Sequence, residues 1–166
     1  FDPNIRLPLW SSAEACQETV REFLPDADLV KLSDEECFFV TGKHSILDAA
    51  DWLFEQGCKM VLYSMGKEGA MILTPHFSSH VENPEVRVKD TTGAGDAIIG
   101  AYLYCLAKNH ITVSQLADCL PEQVQEWLTF AVYYANYSIT KSGAIASYPD
   151  YTTFVKWMQE KRKKAH

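Results

Sequence analysis

The run Asp90-Thr91-Thr92-Gly93-Ala94-Gly95-Asp96 constrains this chain more than any other, because a turn of small residues opens directly into a strongly apolar helix. Gly93 and Gly95 let the backbone bend and come close to a ligand, while the unpaired N–H groups of a helix start carry the positive end of its dipole. Such a place holds an anion, phosphate above all. An acid in that first turn conflicts with phosphate unless Asp96 faces a hydroxyl that loses its proton as it attacks the phosphorus. The alternative is a plain strand-to-helix connection in which Asp96 complements the dipole. Val86-Arg87-Val88-Lys89 alternates like a strand ahead of the turn. Ala97 to Ala107 is apolar almost all round, the mark of a buried helix in which Gly100 permits close packing.

The rest of the chain alternates helical and strand-like stretches. Ser11 and Glu14 form a capping-box pair before a helix reaching about Leu24, with Ala13, Cys16, Val20, Phe23 and Leu24 as its buried stripe, ended by Pro25 and Asp26. Leu29-Val30-Lys31-Leu32 reads as a short strand. Ser33 with Glu36 is a second capping box, opening a helix that Gly42 closes. Ile46 to Gln56 is a third helix, stopped by Gly57. Lys59 to Ser64 suits a central strand, and Gly66 to Gly69 turns into Ala70-Met71-Ile72-Leu73 as a hairpin. Val113 to Cys119 follows, then a long segment from Pro121, at a first helical position, to about Thr140, and a terminal helix from Tyr151. This alternation predicts a parallel or mixed sheet covered on both faces, in which ligands bind beyond the carboxyl ends of the strands. That rule brings Ser33, Ser64 to Gly66 and the Asp90–Asp96 turn to one crevice. Neither a P-loop nor a dinucleotide-binding glycine fingerprint is present, so the Gly93–Gly95 turn has to cradle the phosphate.

At 166 residues, 47% hydrophobic and with no long apolar run, the chain has the makings of one soluble domain without a membrane span, and its expected address is the cytoplasm. A net charge of -7 argues against a nucleic-acid partner. The five cysteines, at 16, 37, 58, 105 and 119, are an odd number without a Cys-x-x-Cys pair, which fits reduced packing thiols. The histidines are scattered, with no His-Glu-x-x-His to hold a catalytic metal. Lys161-Arg162-Lys163-Lys164 fits a basic helix end.

Several of these segments together carry a resemblance. The heptapeptide is close to the C-terminal signature of the ribokinase-like (PfkB-type) carbohydrate kinases. Phe1-Asp2-Pro3-Asn4-Ile5-Arg6-Leu7-Pro8-Leu9-Trp10 resembles the mid-chain Asp-Pro-Asn-x-Arg-x-x-Leu-Trp of fructokinases and 2-keto-3-deoxygluconate kinases. Lys31 to Glu36, Thr41-Gly42 and Ser64 to Ala70 fall in the family's order. The resemblance implies a ribokinase-like, Rossmann-type three-layer α/β/α fold with a mostly parallel sheet. It implies that residues 1–166 are the C-terminal, nucleotide-binding and catalytic portion of a sugar kinase. The N-terminal sugar-binding half and the small β lid would lie outside the chain, and a homodimer would form through that lid.

The resemblance also implies roles. Asp96 is the base for the sugar hydroxyl, and the amides of Gly93, Ala94 and Gly95 form the anion hole. Ser33, Ser64, Gly66 and Gly69, with Gly95, surround ATP, although Ser33 is also a cap and the two glycines also suit a bare hairpin. An asparagine near position 132 contacts adenine in the family; Val132 supplies no such hydrogen bond. Mg²⁺ accompanies ATP, and K⁺ is held, largely through carbonyl oxygens, at Asp90, Thr92, Ser138, Lys141, Gly143 and Ser147, among which Asp90 and Thr92 also read as turn caps. Arg6 meets a substrate phosphate or sugar acid, or is a surface arginine in a loop. The implied reaction is ATP-dependent phosphorylation of a small-molecule sugar. Fructose is the first acceptor; 2-keto-3-deoxygluconate, ribose and a non-catalytic nucleotide-binding module are the alternatives.

Overall fold

The computed structural model describes residues 1–164. Four strands, β1 (Leu29–Ser33), β2 (Met60–Ser64), β3 (Ala70–Leu73) and β4 (Ser78–Val81), form a sheet in the order β1-β2-β3-β4. β1 and β2 run parallel, in a register that sets Ser33 beside Ser64, so their carboxyl ends lie side by side. β2 to β4 pair antiparallel, which makes the sheet mixed. Helices α1 (Ala13–Glu22), α2 (Asp34–Thr41) and α3 (Ile46–Glu55) cover one face. Helices α4 (Ala94–Lys108) and α5 (Pro121–Ser138) cover the other, and α6 (Tyr151–Lys164) packs outside α5.

The two-residue period of a strand produces these layers. On β2, Met60 and Leu62 enter the core with α4 and α5, while Val61 between them enters the core with α1 to α3. Fully buried strand residues such as Met60, Val61, Leu62 and Ile72 each contribute about 1.5–3 kcal/mol on leaving water.

Local chemistry sets the helix ends. Ser33 and Glu36 complete the expected capping box, and Gly42 ends α2 at φ +71°. Pro121 is the first residue of α5. At α1 the cap is Ser12, not Ser11 with Glu14. Ser12 has the extended backbone immediately before Ala13, and its Oγ accepts from Ala15 N at 3.1 Å. The buried stripe narrows to Cys16, Val20 and Leu24. Ala13 stays exposed, and Phe23 caps the helix end 57% exposed, its ring 6.0 Å from that of Phe1.

Val86 to Lys89 pairs with no strand, and the chain bends at Lys89. Pro84 lacks a ladder donor, and the amides of Lys89 and Asp90 instead donate to Ile139 O at the end of α5, at 2.8 and 3.2 Å. The strand that does pair with β3 is Ser78–Val81, whose polar sequence carries little β signal. Gly100 is exposed, and a Cβ there would meet nothing within 4 Å, so it serves no close packing. α4 packs on α5 through Ala97, Ala101 and Cys105. On the opposite side Leu103 is 49% exposed, and Tyr104, although stacked on Phe130 of α5, is 42% exposed, so the helix is buried on fewer sides than its composition predicts. Of the basic run, Lys161 lies over Trp157 and Arg162 over Tyr133.

Candidate functional site

Beyond the carboxyl ends of β1 and β2 lies a crevice of about 380 Å³. Ser33, Ser64, Gly66, Gly69, Ala94 and Gly95 all line it, so the three loops converge as the sheet rule predicts. Gly69 holds φ +99°, and a Cβ there would fall 2.0 Å from Val81 O; only glycine closes this turn against β4.

The turn into α4 is built by Gly93, which caps the helix in the left-handed region at φ +78°. A Cβ on Gly93 would meet Tyr148 Oη at 2.8 Å and Ala144 Cβ at 2.9 Å, and Tyr148 Oη donates to Gly93 O at 2.9 Å. Among the described residues the amides of Gly93, Gly95 and Asp96 take no backbone acceptor, while that of Ala94 donates to Thr91 O at 3.1 Å. Free donors at a helix start form an anion site. Asp96 does not line the crevice. It opens on the far side of the turn, into a 290 Å³ aromatic cavity with Tyr104, Tyr134 and Tyr148, and onto a groove beside Asn4. Burial, then the nearby Asp96 charge, raises the Tyr148 phenol above its usual value.

Asp90 ties the turn down. Its Oδ1 accepts from Thr92 N at 3.0 Å and Thr92 Oγ1 at 2.7 Å, and its Oδ2 from Gly143 N at 2.8 Å. These bonds, that from Gly143 first, lower the Asp90 carboxyl to about 2. The side chains of the other cation candidates make contacts of their own, which leaves their carbonyl oxygens as the expected ligands. Ser138 Oγ bonds Ala135 O, Ser147 Oγ bonds Ala144 O, and the Lys141 ammonium lies over the Tyr137 ring at 4.5 Å. No group of three or more acids, histidines or cysteines that would hold a metal occurs among the described residues.

Arg6 is not brought to the crevice: it is exposed, and its guanidinium bonds the carbonyl of Ile5 at 3.0 Å. The buried cation of the site is Lys31, 4% exposed. Its Nζ lies 3.2 Å from Asp2 Oδ1, 3.7 Å from Glu36 Oε2 and 3.2 Å from where a Cβ on Gly95 would stand. Burial opposes ionisation of Glu36, but the Ser33 amide, the Lys31 charge and the Ile5 amide outweigh it and hold the carboxyl below its usual value. Sequence reasoning missed Lys31 as a site residue, although a charge in the middle of Leu29-Val30-Lys31-Leu32 was the available signal. It also missed Asn136, which lines the crevice one turn beyond Val132 and bonds Asn83.

Known proteins resemble this chain in sequence and fold. Residues 1–151 match the pfkB family carbohydrate kinase. Fructokinase-2 of Solanum habrochaites is 35% identical over 150 residues, covering 90% of this chain and 44% of that protein. Probable fructokinase-5 of Arabidopsis thaliana is 35% identical over 164 residues, covering 98% and 49%. Fructokinase of Vibrio cholerae O395, solved with fructose, ADP and potassium ion, superposes with a TM-score of 0.82 at 30% identity, covering 95% of this chain and 49% of that one. Fructokinase of Xylella fastidiosa with bound ATP superposes at 0.88, with 27% identity, covering 96% and 51%. The chain thus spans about half the length of the relatives it matches. No helix among the described residues is long and apolar enough to cross a membrane. The fold is the ribokinase-like three-layer α/β/α arrangement, and the chain belongs to the pfkB family of carbohydrate kinases.

Proposed function

We propose that this chain is the nucleotide-binding and phosphoryl-holding portion of an ATP-dependent sugar kinase whose acceptor is fructose. One observation carries the reading: Gly95 lines the crevice, whereas the next residue, Asp96, opens away from it on the aromatic cavity and the groove beside Asn4. Nucleotide phosphates on the crevice side and a sugar hydroxyl on the Asp96 side would then meet at the turn, roughly in line as phosphoryl transfer requires. Asp96 accepts the proton of the attacking hydroxyl. The free amides of Gly93 and Gly95 hold the charge on the transferring group, and Ala94 joins them by releasing Thr91 O. Ser33, Ser64, Gly66 and Gly69 border the nucleotide. The residues that hold the sugar would come from the length of the relatives that this chain does not span.

Oxygen donors around Asp90, Thr92 and Gly143 suit a hard monovalent cation such as K⁺ in charge and chemistry, but both Asp90 oxygens already hold the loop. Mg²⁺ bound with ATP neutralises phosphate charge; it enters with the nucleotide rather than on a protein cage. The test is ADP release by the full-length gene product, stimulated by fructose, ribose or 2-keto-3-deoxygluconate. Fructose is expected to give the turnover, and preference for another sugar moves the acceptor assignment. Asp96→Asn is expected to retain ATP binding and lose roughly a hundredfold or more in rate; undiminished turnover removes Asp96 from the role of base.

A further inference from the structure

The crevice also holds a polar pair that phosphoryl transfer does not use. Asn136, on α5, is 5% exposed and lines the crevice with Asn83, from the extended segment after β4. Two backbone carbonyls fix how both amides are turned. Asn83 Nδ2 donates to Gly66 O at 2.8 Å, and a carbonyl accepts only from the nitrogen end of an amide, so Asn83 Oδ1 is the atom that faces Asn136. Asn136 Nδ2 donates to that Oδ1 at 2.8 Å and to Val132 O at 2.9 Å, which occupies both of its N–H groups. Asn136 Oδ1 is left over. It accepts from no protein donor among the described residues, and it is not sealed from solvent. One N–H of Asn83 is also left over.

A polar side chain this deep in an apolar helix face is costly unless its bonds are made. The relay Val132–Asn136–Asn83–Gly66 uses both N–H groups of Asn136 and one of Asn83, and leaves one acceptor and one donor for the crevice. Beside them, Val132, Ala135 and Ile98 supply an apolar wall of the kind that packs on a flat ring.

We infer that Asn136 and Asn83 read the base of the nucleotide: Asn136 Oδ1 accepts from the exocyclic amino group of a 6-aminopurine, and the free Asn83 N–H donates to an adjacent ring nitrogen. This rests on the nucleotide reading above. A 6-oxopurine in the same pose sets its carbonyl against Asn136 Oδ1, acceptor to acceptor. Asn136 cannot adapt by flipping, because its nitrogen would then leave both Val132 O and Asn83 Oδ1.

The experiment is equilibrium titration of the chain with ATP, inosine triphosphate and purine riboside triphosphate, the last lacking any group at C6. The unaltered protein is expected to bind ATP roughly tenfold more tightly than either analogue, the value of about one buried hydrogen bond. In Asn136→Leu the three affinities are expected to converge, as ATP loses its hydrogen bond and inosine triphosphate its opposed acceptor. Equal affinities in the unaltered protein overturn the inference without any variant, and so does an Asn136→Leu protein that keeps the discrimination. Failure of all three nucleotides to bind removes the nucleotide reading itself, whereas equally tight binding of all three removes only the role of the amide pair.

Discussion

Replacing Gly93 by alanine tests the geometry of the turn into α4. At φ +78° a non-glycine residue costs about 1 kcal/mol or more. The new Cβ would stand 2.8 Å from Tyr148 Oη and 2.9 Å from Ala144 Cβ, both below real contact distances. Tyr148 can retreat only by surrendering its bond to Gly93 O, a loss of about 1 kcal/mol. Ala144 is a short side chain on the backbone of the neighbouring loop, so its retreat moves main chain and costs about 1–3 kcal/mol. The sum, about 3–5 kcal/mol, is a large share of the roughly 5–15 kcal/mol that stabilises a typical domain. Urea unfolding followed by the fluorescence of the four tryptophans measures it. A thermodynamic cycle with Tyr148→Phe isolates the cause. In the parent protein that change removes the bond to Gly93 O and costs about 1 kcal/mol, whereas in the Gly93→Ala background it removes a clash and is expected to cost nothing. A Gly93→Ala cost below about 1 kcal/mol, or additive behaviour of the two changes, refutes the reasoning.

Asp90 predicts an acid dependence. Its folded-state value is lowered to about 2 from an ordinary 3.8, so its contribution is present above the ordinary value and is lost as pH falls through about 2. Asp90→Asn is expected to flatten the loss of stability between those limits, and an unchanged acid-unfolding slope counts against the tie to Gly143. Lys31→Met strands the carboxylates of Asp2 and Glu36, 15% and 10% exposed, without their cation. A loss of about 3–5 kcal/mol at neutral pH is expected in urea unfolding, and a loss under about 1 kcal/mol shows that the pair is not buried as described.

Much of the site was legible because its elements are local. Gly42, Gly93, Pro121 and the Ser33–Glu36 box each act within one turn of chain, so composition and spacing suffice to place them. The strand order of β1 and β2 likewise follows from a helical crossover between apolar runs, which puts Ser33 beside Ser64. Where reading failed, partners distant in sequence decided. Val86 to Lys89 alternates as a strand does, yet alternation reports which way side chains point and says nothing of which backbone lies alongside; Ile139 O took the bonds. Ser78 to Val81 became a strand because β3 offered its edge.

The sequence by itself determined that a glycine turn leads into an apolar helix within alternating β and α elements, because glycine conformation, capping and hydrophobic period are properties of neighbours along the chain. Only the tertiary structure decided that Arg6 stays outside while Lys31 is buried against Gly95, that Asp96 opens on the opposite side of the turn from the crevice, and that Asn136 meets Asn83. Those relations join residues far apart in the chain and on different elements, and a charge or an amide has a partner only once packing has brought the elements together.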